Sequence, residues 1–175
     1  MPISIADDDV FVALRAFILN VLPDMAAENV LLGPMNGVPM PPGPNFIIMA
    51  PSDRAGLATT QREYFPSEDP APALGTRETT RQTQVGCSVN FYGEAATDNA
   101  QIFNQLFRDM YGCDFMRPYN VQPLWCDDGR QLPLIDSEKQ YAQRWQVRAV
   151  MQINPTISTS QEFADTVAVT MVEAD

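Results

Sequence analysis

The run R-Q-T-Q-V-G-C-S-V-N-F-Y-G-E-A-A-T-D-N-A-Q-I-F-N-Q-L-F-R-D-M-Y-G, Arg81 to Gly112, decides the fold. Its first third alternates. Val85, Cys87, Val89 and Phe91 point one way, and Gln84, Gly86, Ser88 and Asn90 the other, which is the period of a strand with one buried face. Beyond Gly93 the period changes. Ala100, Phe103, Phe107 and Met110 or Tyr111 recur at three- and four-residue steps with Leu106 beside them, as on an amphipathic helix. Thr97 or Asp98 can cap its first free N–H groups, and Gly112 can supply a left-handed C-cap. A half-buried strand thus feeds a helix that can fold back onto it.

Upstream, Asp7, Asp8 and Asp9 precede V-F-V-A-L-R-A-F-I-L-N-V-L. Acids suit a helix start, and any of the three can be the cap. Val10, Leu14, Phe17, Ile18 and Val21 form one stripe, widened by Phe11 and Leu22, and Pro23 ends the helix. Val30 to Leu32 reads as a short strand. Residues 33–45 hold five prolines, which forbid regular structure and make a stiff loop. Phe46 to Ala50 reads as a strand buried on both sides. Residues 52–79 are polar, with weak alternation from Leu57 to Phe65, and read as an extended arm or hairpin that packs on a partner, with an ordinary mobile loop as the alternative.

Downstream, Leu124–Cys126 and Leu132–Ile135 flank Asp127-Asp128-Gly129-Arg130, a tight-turn sequence that predicts a short hairpin. Glu138 to Pro155 is the longest strand candidate. It carries Tyr141, Trp145, Val147, Ala149, Met151 and Ile153 on one face. Gln140, Arg144, Gln146, Arg148 and Gln152 lie on the other, with Val150 the exception. Phe163 to Val172 reads as a last strand. The expectation is one domain over residues 1–175. It is an α+β fold in two layers, a mostly antiparallel (mixed) sheet with two amphipathic helices packed on one face, plus the extended arm and loop. Segments 80–92, 139–154 and 163–172 are placed at the centre of the sheet.

Composition narrows the function. The net charge of −11 repels phosphate backbones and argues against direct DNA recognition. No apolar run is long enough to span a bilayer, and no basic n-region opens the chain, which reads as intracellular at synthesis. The chain has no histidine, the commonest general base and metal ligand. Cys87, Cys113 and Cys126 form no C-x-x-C pair and read as reduced thiols, Cys87 as a small core residue. Asp127 and Asp128 are adjacent in a turn and do not converge as a catalytic dyad. Phosphate-cradling glycine loops and a nucleophile elbow are also missing from the sequence. No catalytic residue, cofactor or metal ligand is assigned. A carboxylate-dependent enzyme is the remote alternative.

Four stretches together carry a resemblance. They are E-N-V-L-L-G-P-M-N-G-V-P-M-P (Glu28 to Pro41), Q-V-G-C-S-V-N-F-Y-G (Gln84 to Gly93), A-x-x-F-x-x-L-F-R-D-x-Y-G-C-D-F (Ala100 to Phe115) and Q-L-P-L-I-D-S-E-K-Q-Y-A-Q-R-W (Gln131 to Trp145). In combination, over residues 10–172, the chain resembles the neck and tail terminator proteins of tailed bacteriophages. That resemblance implies a structural virion protein, assembled in the host cytoplasm into a homohexameric ring. Such a ring caps the head-proximal end of the tail tube, stops its polymerisation and joins it to the neck. Its implied partners are copies of itself, the tail tube protein, the neck or head-completion connector and, in a contractile tail, the last sheath ring. Genomic DNA passes through the lumen without specific binding. A neck or head-completion connector is the nearer alternative. Exposure logic then selects contact residues: Arg144 and Arg148 on the polar strand face, Leu57, Tyr64 and Phe65 on the arm, and Met35, Val38 and Met40 in the proline-rich loop.

Overall fold

The computed structural model describes residues 3–33, 41, 44–67, 74–135 and 141–162. Helix α1 (Asp7–Val21) leads through a 3-10 turn to β1 (Val30–Leu32), β2 (Phe46–Gly56), β3 (Gln61–Phe65), β4 (Gly75–Thr80) and β5 (Thr83–Tyr92). Then come α2 (Ala96–Phe107), α3 (Met110–Met116), a second 3-10 turn, β6 (Gln122–Cys126), β7 (Arg130–Gln131), β8 (Leu134–Ile135), β9 (Tyr141–Ala142), β10 (Arg144–Ile153) and β11 (Thr156–Gln161). The fold is α+β, with a mixed, mostly antiparallel sheet and the helices packed on it.

The main sheet runs β1-β2-β5-β10-β6, with β7 also on β10 and only the β1–β2 pair parallel. One face is the core. Val85, Cys87, Val89 and Phe91 of β5 lie opposite Met151, Ala149, Val147 and Trp145 of β10. Ile47 and Met49 of β2 extend the same face. On it sit the helices. Val10, Leu14, Phe17 and Ile18 of α1 and Ala100, Phe103 and Phe107 of α2 are fully buried or nearly so. Phe17 lies at the centre. Its ring is within 5.9 Å of both Phe103 and Phe107 and 5.6 Å of Phe115, edge-on to each. Phe103 in turn meets Phe91 of the sheet at 5.7 Å.

Several expectations are corrected at this level. The helix cap at α1 is Ala6, not an aspartate, and Asp9 on the first turn accepts the Ala6 N–H at 2.8 Å. The second helix does not run on to Gly112. It stops at Phe107, and Asp109 caps a new helix, α3, by accepting the Tyr111 N–H at 2.9 Å. A strong capping residue won over continued periodicity. Met110 is therefore exposed rather than on the stripe, and Tyr111, though partly exposed, still sets its ring against Phe17 at 6.4 Å. Gly112 lies inside α3, where a Cβ would come within 2.8 Å of the Leu106 and Phe107 carbonyl oxygens. Its role is close approach of α3 to the end of α2.

The strand 46–50 is longer and less buried than expected. Ile47 and Met49 are buried, but Phe46, Ile48 and Ala50 are half-buried on the second face. The expected hairpin across Asp127–Arg130 is absent among the described residues. Instead β6 and β7 lie end to end along β10. Residues 139–154 do not form one strand either, since β9 pairs with β8 and β10 begins at Arg144. At the centre of the sheet β5 is flanked by β2 on one side and β10 on the other. Segment 163–172 itself lies outside the described residues, as do Met35, Val38 and Met40.

Residues 57–67 and 74–80 do not leave the sheet as a separate loop. Past a break at 57–60, β2 is prolonged as β3. Past Arg81 and Gln82, β5 is preceded by β4. Past Asn154 and Pro155, β10 continues as β11. The order β11-β4-β3 repeats β10-β5-β2, so three central ribbons run on into a three-stranded arm. Pro155 has no N–H for the ladder, and its carbonyl accepts from Arg81 N at the junction. Threonines at 76, 79, 80, 156 and 159 suit this pleated, half-exposed surface. The N-terminus ties the root: Ser4 N donates to the Thr156 carbonyl at 3.1 Å, and Ile3 bridges Ile157.

Candidate functional site

Two surfaces stand out, and neither is a catalytic pocket. The first is the second face of the main sheet. Register brings Arg144 opposite Tyr92, Gln146 opposite Asn90, and Arg148 opposite Ser88. Asn90, almost completely buried, organises this row. Its Oδ1 accepts from Arg144 Nε at 3.2 Å, from Arg144 Nη2 at 2.9 Å and from Gln146 Nε2 at 3.4 Å. Its Nδ2 donates to the Ile48 and Ser88 carbonyls. The Arg144 guanidinium also lies 5.7 Å over the Tyr92 ring, which stacks on Phe46 at 4.4 Å. Arg144 is thus held in place by neutral groups, and its charge has no carboxylate partner among the described residues.

Arg148 is held differently. Its Nη2 donates to Asp53 Oδ1 at 2.7 Å, and its guanidinium lies 5.2 Å over the Trp125 ring. Asp53 reaches it because β2 bulges between Pro51 and Asp53, which turns the carboxylate onto this face. Gly86 leaves the room. A Cβ there would stand 2.2 Å from Asp53 Oδ1 and 2.6 Å from Ser52 Oγ. The hydrogen bonds from Arg148 and then Ser52 hold the Asp53 carboxyl below its ordinary range. One arginine thus spans β2, β10 and β6. Val150, the apolar exception on this face, is fully buried between Gly86 and Trp125, its neighbours in the ladder.

The second surface is the arm. Leu57, Tyr64 and Phe65 are all exposed, at 45%, 53% and 45%. The structure therefore separates the contact residues expected from sequence. Arg144 and Arg148 share the main sheet, while Leu57, Tyr64 and Phe65 belong to the arm and its root. Asn90, Tyr92, Phe46, Asp53 and Trp125 were not singled out by sequence. Alternation does put Asn90 outward, but only register shows that it faces Arg144 and Gln146.

Among the described residues no three Cys, Asp or Glu side chains gather as a metal site. A cavity of about 380 Å3 between the end of α1 and the start of α2 has, among the described residues, one titratable group in its lining, Asp24. Asp127 and Asp128 pair separately, with Arg130 at 3.7 Å and Arg108 at 3.4 Å. Burial pushes the Cys87 thiol up to about 12 and Cys126 up to about 11, which leaves both inert as nucleophiles. No described helix is long and apolar enough to cross a membrane.

No curated protein matches the sequence. A protein-family profile does, over residues 8–175, which includes both surfaces and the whole core. An α+β subunit with an ordered polar sheet face and a three-stranded arm suits the description of that family. The chain belongs to the phage neck terminator protein family, and is accordingly a structural protein of the phage neck and tail.

Proposed function

We propose that this subunit assembles with copies of itself into a closed homohexameric ring. The ring caps the head-proximal end of the tail tube, ends its polymerisation and joins it to the neck. The observation that carries this reading is the presence of two unlike, outward-facing surfaces on one subunit. A closed ring needs heterologous contacts, in which one patch meets a different patch of the next copy. The main-sheet face offers Arg144, a guanidinium immobilised by Asn90 and Tyr92 and lacking a counter-ion. The arm offers Leu57, Tyr64 and Phe65. Arg148 is a weaker contact, because it must first give up Asp53. Met35, Val38 and Met40 would reach the tube or neck from the proline-rich loop.

The charge supports the rest. A chain with 22 acids and 11 bases lines a lumen that repels phosphate, so DNA can pass without adhering. Ring contacts would also neutralise the scarce free arginines.

Native mass spectrometry tests the reading. The wild-type chain is expected as a ring, and Arg144→Glu as smaller species with an unchanged circular dichroism spectrum. Electron microscopy of tails made without heads should show the ring at the tube's upper end. A wild-type chain that stays a single copy across the concentration range overturns the proposal.

A further inference from the structure

The arm has two faces of opposite charge. Residues directly opposite in an antiparallel ladder point to the same side, so the register assigns every side chain. Glu63 lies opposite Glu78, and Glu78 opposite Ser158. Phe65 lies opposite Thr76, and Thr76 opposite Ser160. These share one face. On the other face, Arg62 lies opposite Thr79, and Thr79 opposite Ile157, while Tyr64 lies opposite Arg77, and Arg77 opposite Thr159. One face therefore carries two carboxylates and no cation. The other carries two guanidiniums and no carboxylate.

Neither charge is neutralised by an ion pair among the described residues, since Glu63, Glu78, Arg62 and Arg77 make none there. Glu63 and Glu78 are directly opposed like charges, which weakens strand pairing unless a cation comes between them. Ser158 Oγ, donating to Glu78 Oε1 at 3.4 Å, is a neutral and distant partner. On the other face, Nε of Arg77 is buried and meets no acceptor among the described residues. A buried donor left unmet is a cost that a carboxylate would remove. Each face also exposes one aromatic ring, Phe65 on the acidic side and Tyr64 on the basic side.

We infer that the arm of one copy stacks face to face on the arm of the next, acidic face against basic face. The inference rests on the ring reading and names the contact that builds it. Stacked sheets lie about 10 Å apart, a gap that arginine and glutamate side chains span together. The paired aromatics supply the apolar centre, and the two Arg–Glu pairs set the direction. The occupant is a second copy because both complementary halves sit on this one element. The contact is heterologous, so it repeats around the ring in one sense.

Two double variants test it in the full chain. Arg62→Glu with Arg77→Glu makes both faces acidic. Glu63→Lys with Glu78→Lys makes both basic. Each alone is expected to give a single-copy mass by native mass spectrometry, with the wild-type circular dichroism spectrum. Mixed in equal amounts, they are expected to assemble again, the two alternating around the ring. Should either double variant be lost to misfolding, Arg62→Gln with Arg77→Gln serves. It should weaken assembly by about tenfold or more and flatten its salt dependence. Wild-type-like assembly by a charge-reversed variant, no recovery on mixing, or an unchanged Gln variant overturns the stacking while the ring stands. A wild-type chain that never assembles instead defeats the ring reading.

Discussion

Phe17→Ala is the substitution whose effect the structure specifies most tightly. Phe17 is fully buried and is the α1 side chain whose ring meets both α2 and α3, through Phe103, Phe107, Tyr111 and Phe115. Removing a core phenylalanine costs about 3–5 kcal/mol. Edge-to-face ring pairs add about 0.5–1.5 kcal/mol each beyond area, so the upper end, about 5 kcal/mol, is expected here. At this chain length each kcal/mol moves the melting midpoint by about 2–4 °C, which makes the shift about 10–20 °C. Thermal and urea unfolding followed by circular dichroism measure it. Assembly raises apparent stability by mass action, so protein concentrations must match. Met110→Ala is the control, since Met110 is 66% exposed on α3 and should stay within about 0.5 kcal/mol of wild type. If both variants melt alike, α1 is not docked through this ring and the packing described above is wrong.

Two further outcomes follow from the core. Gly112→Ala sets helix propensity against contact. Alanine gains about 1 kcal/mol in a helix interior, but its Cβ would press on two backbone carbonyl oxygens that cannot swing aside. Overpacking costs about 1–3 kcal/mol, so the melting midpoint should fall by several degrees, and a rise would contradict the α2–α3 geometry. For the thiols, a colourless-to-coloured thiol reagent at pH 8 should label Cys113 readily, and Cys87 and Cys126 only after denaturant is added. Because Cys87 ionises near 12 when folded and near 9.0 when exposed, the stability it contributes is full below about pH 9. That contribution is lost as pH climbs towards 12. Rapid native labelling of two thiols would refute its burial.

The amino-acid order alone determined the local elements of this protein and the face each one buries. The alternation of Val85 to Phe91 and the stripe of Val10 to Val21 are decided by backbone periods of two and 3.6, and these need no partner to be read. The helix end at Gly112 was misread because glycine suits both a cap and a close approach. Only tertiary contact, Asp109 against Tyr111 N and Gly112 against the end of α2, chooses between them. Pairing was likewise not local. Nothing in Phe46 to Gly56 states that it lies beside β5, or that β6 and β7 share β10, because register depends on which buried faces meet in space. The site followed the same division. Arg144, Arg148, Tyr64 and Phe65 were visible as exposed polar or aromatic residues on strands. Their sorting into an Asn90-centred row and a two-faced arm was set by cross-strand registers between residues distant in sequence, such as Arg77 and Thr159, 82 positions apart.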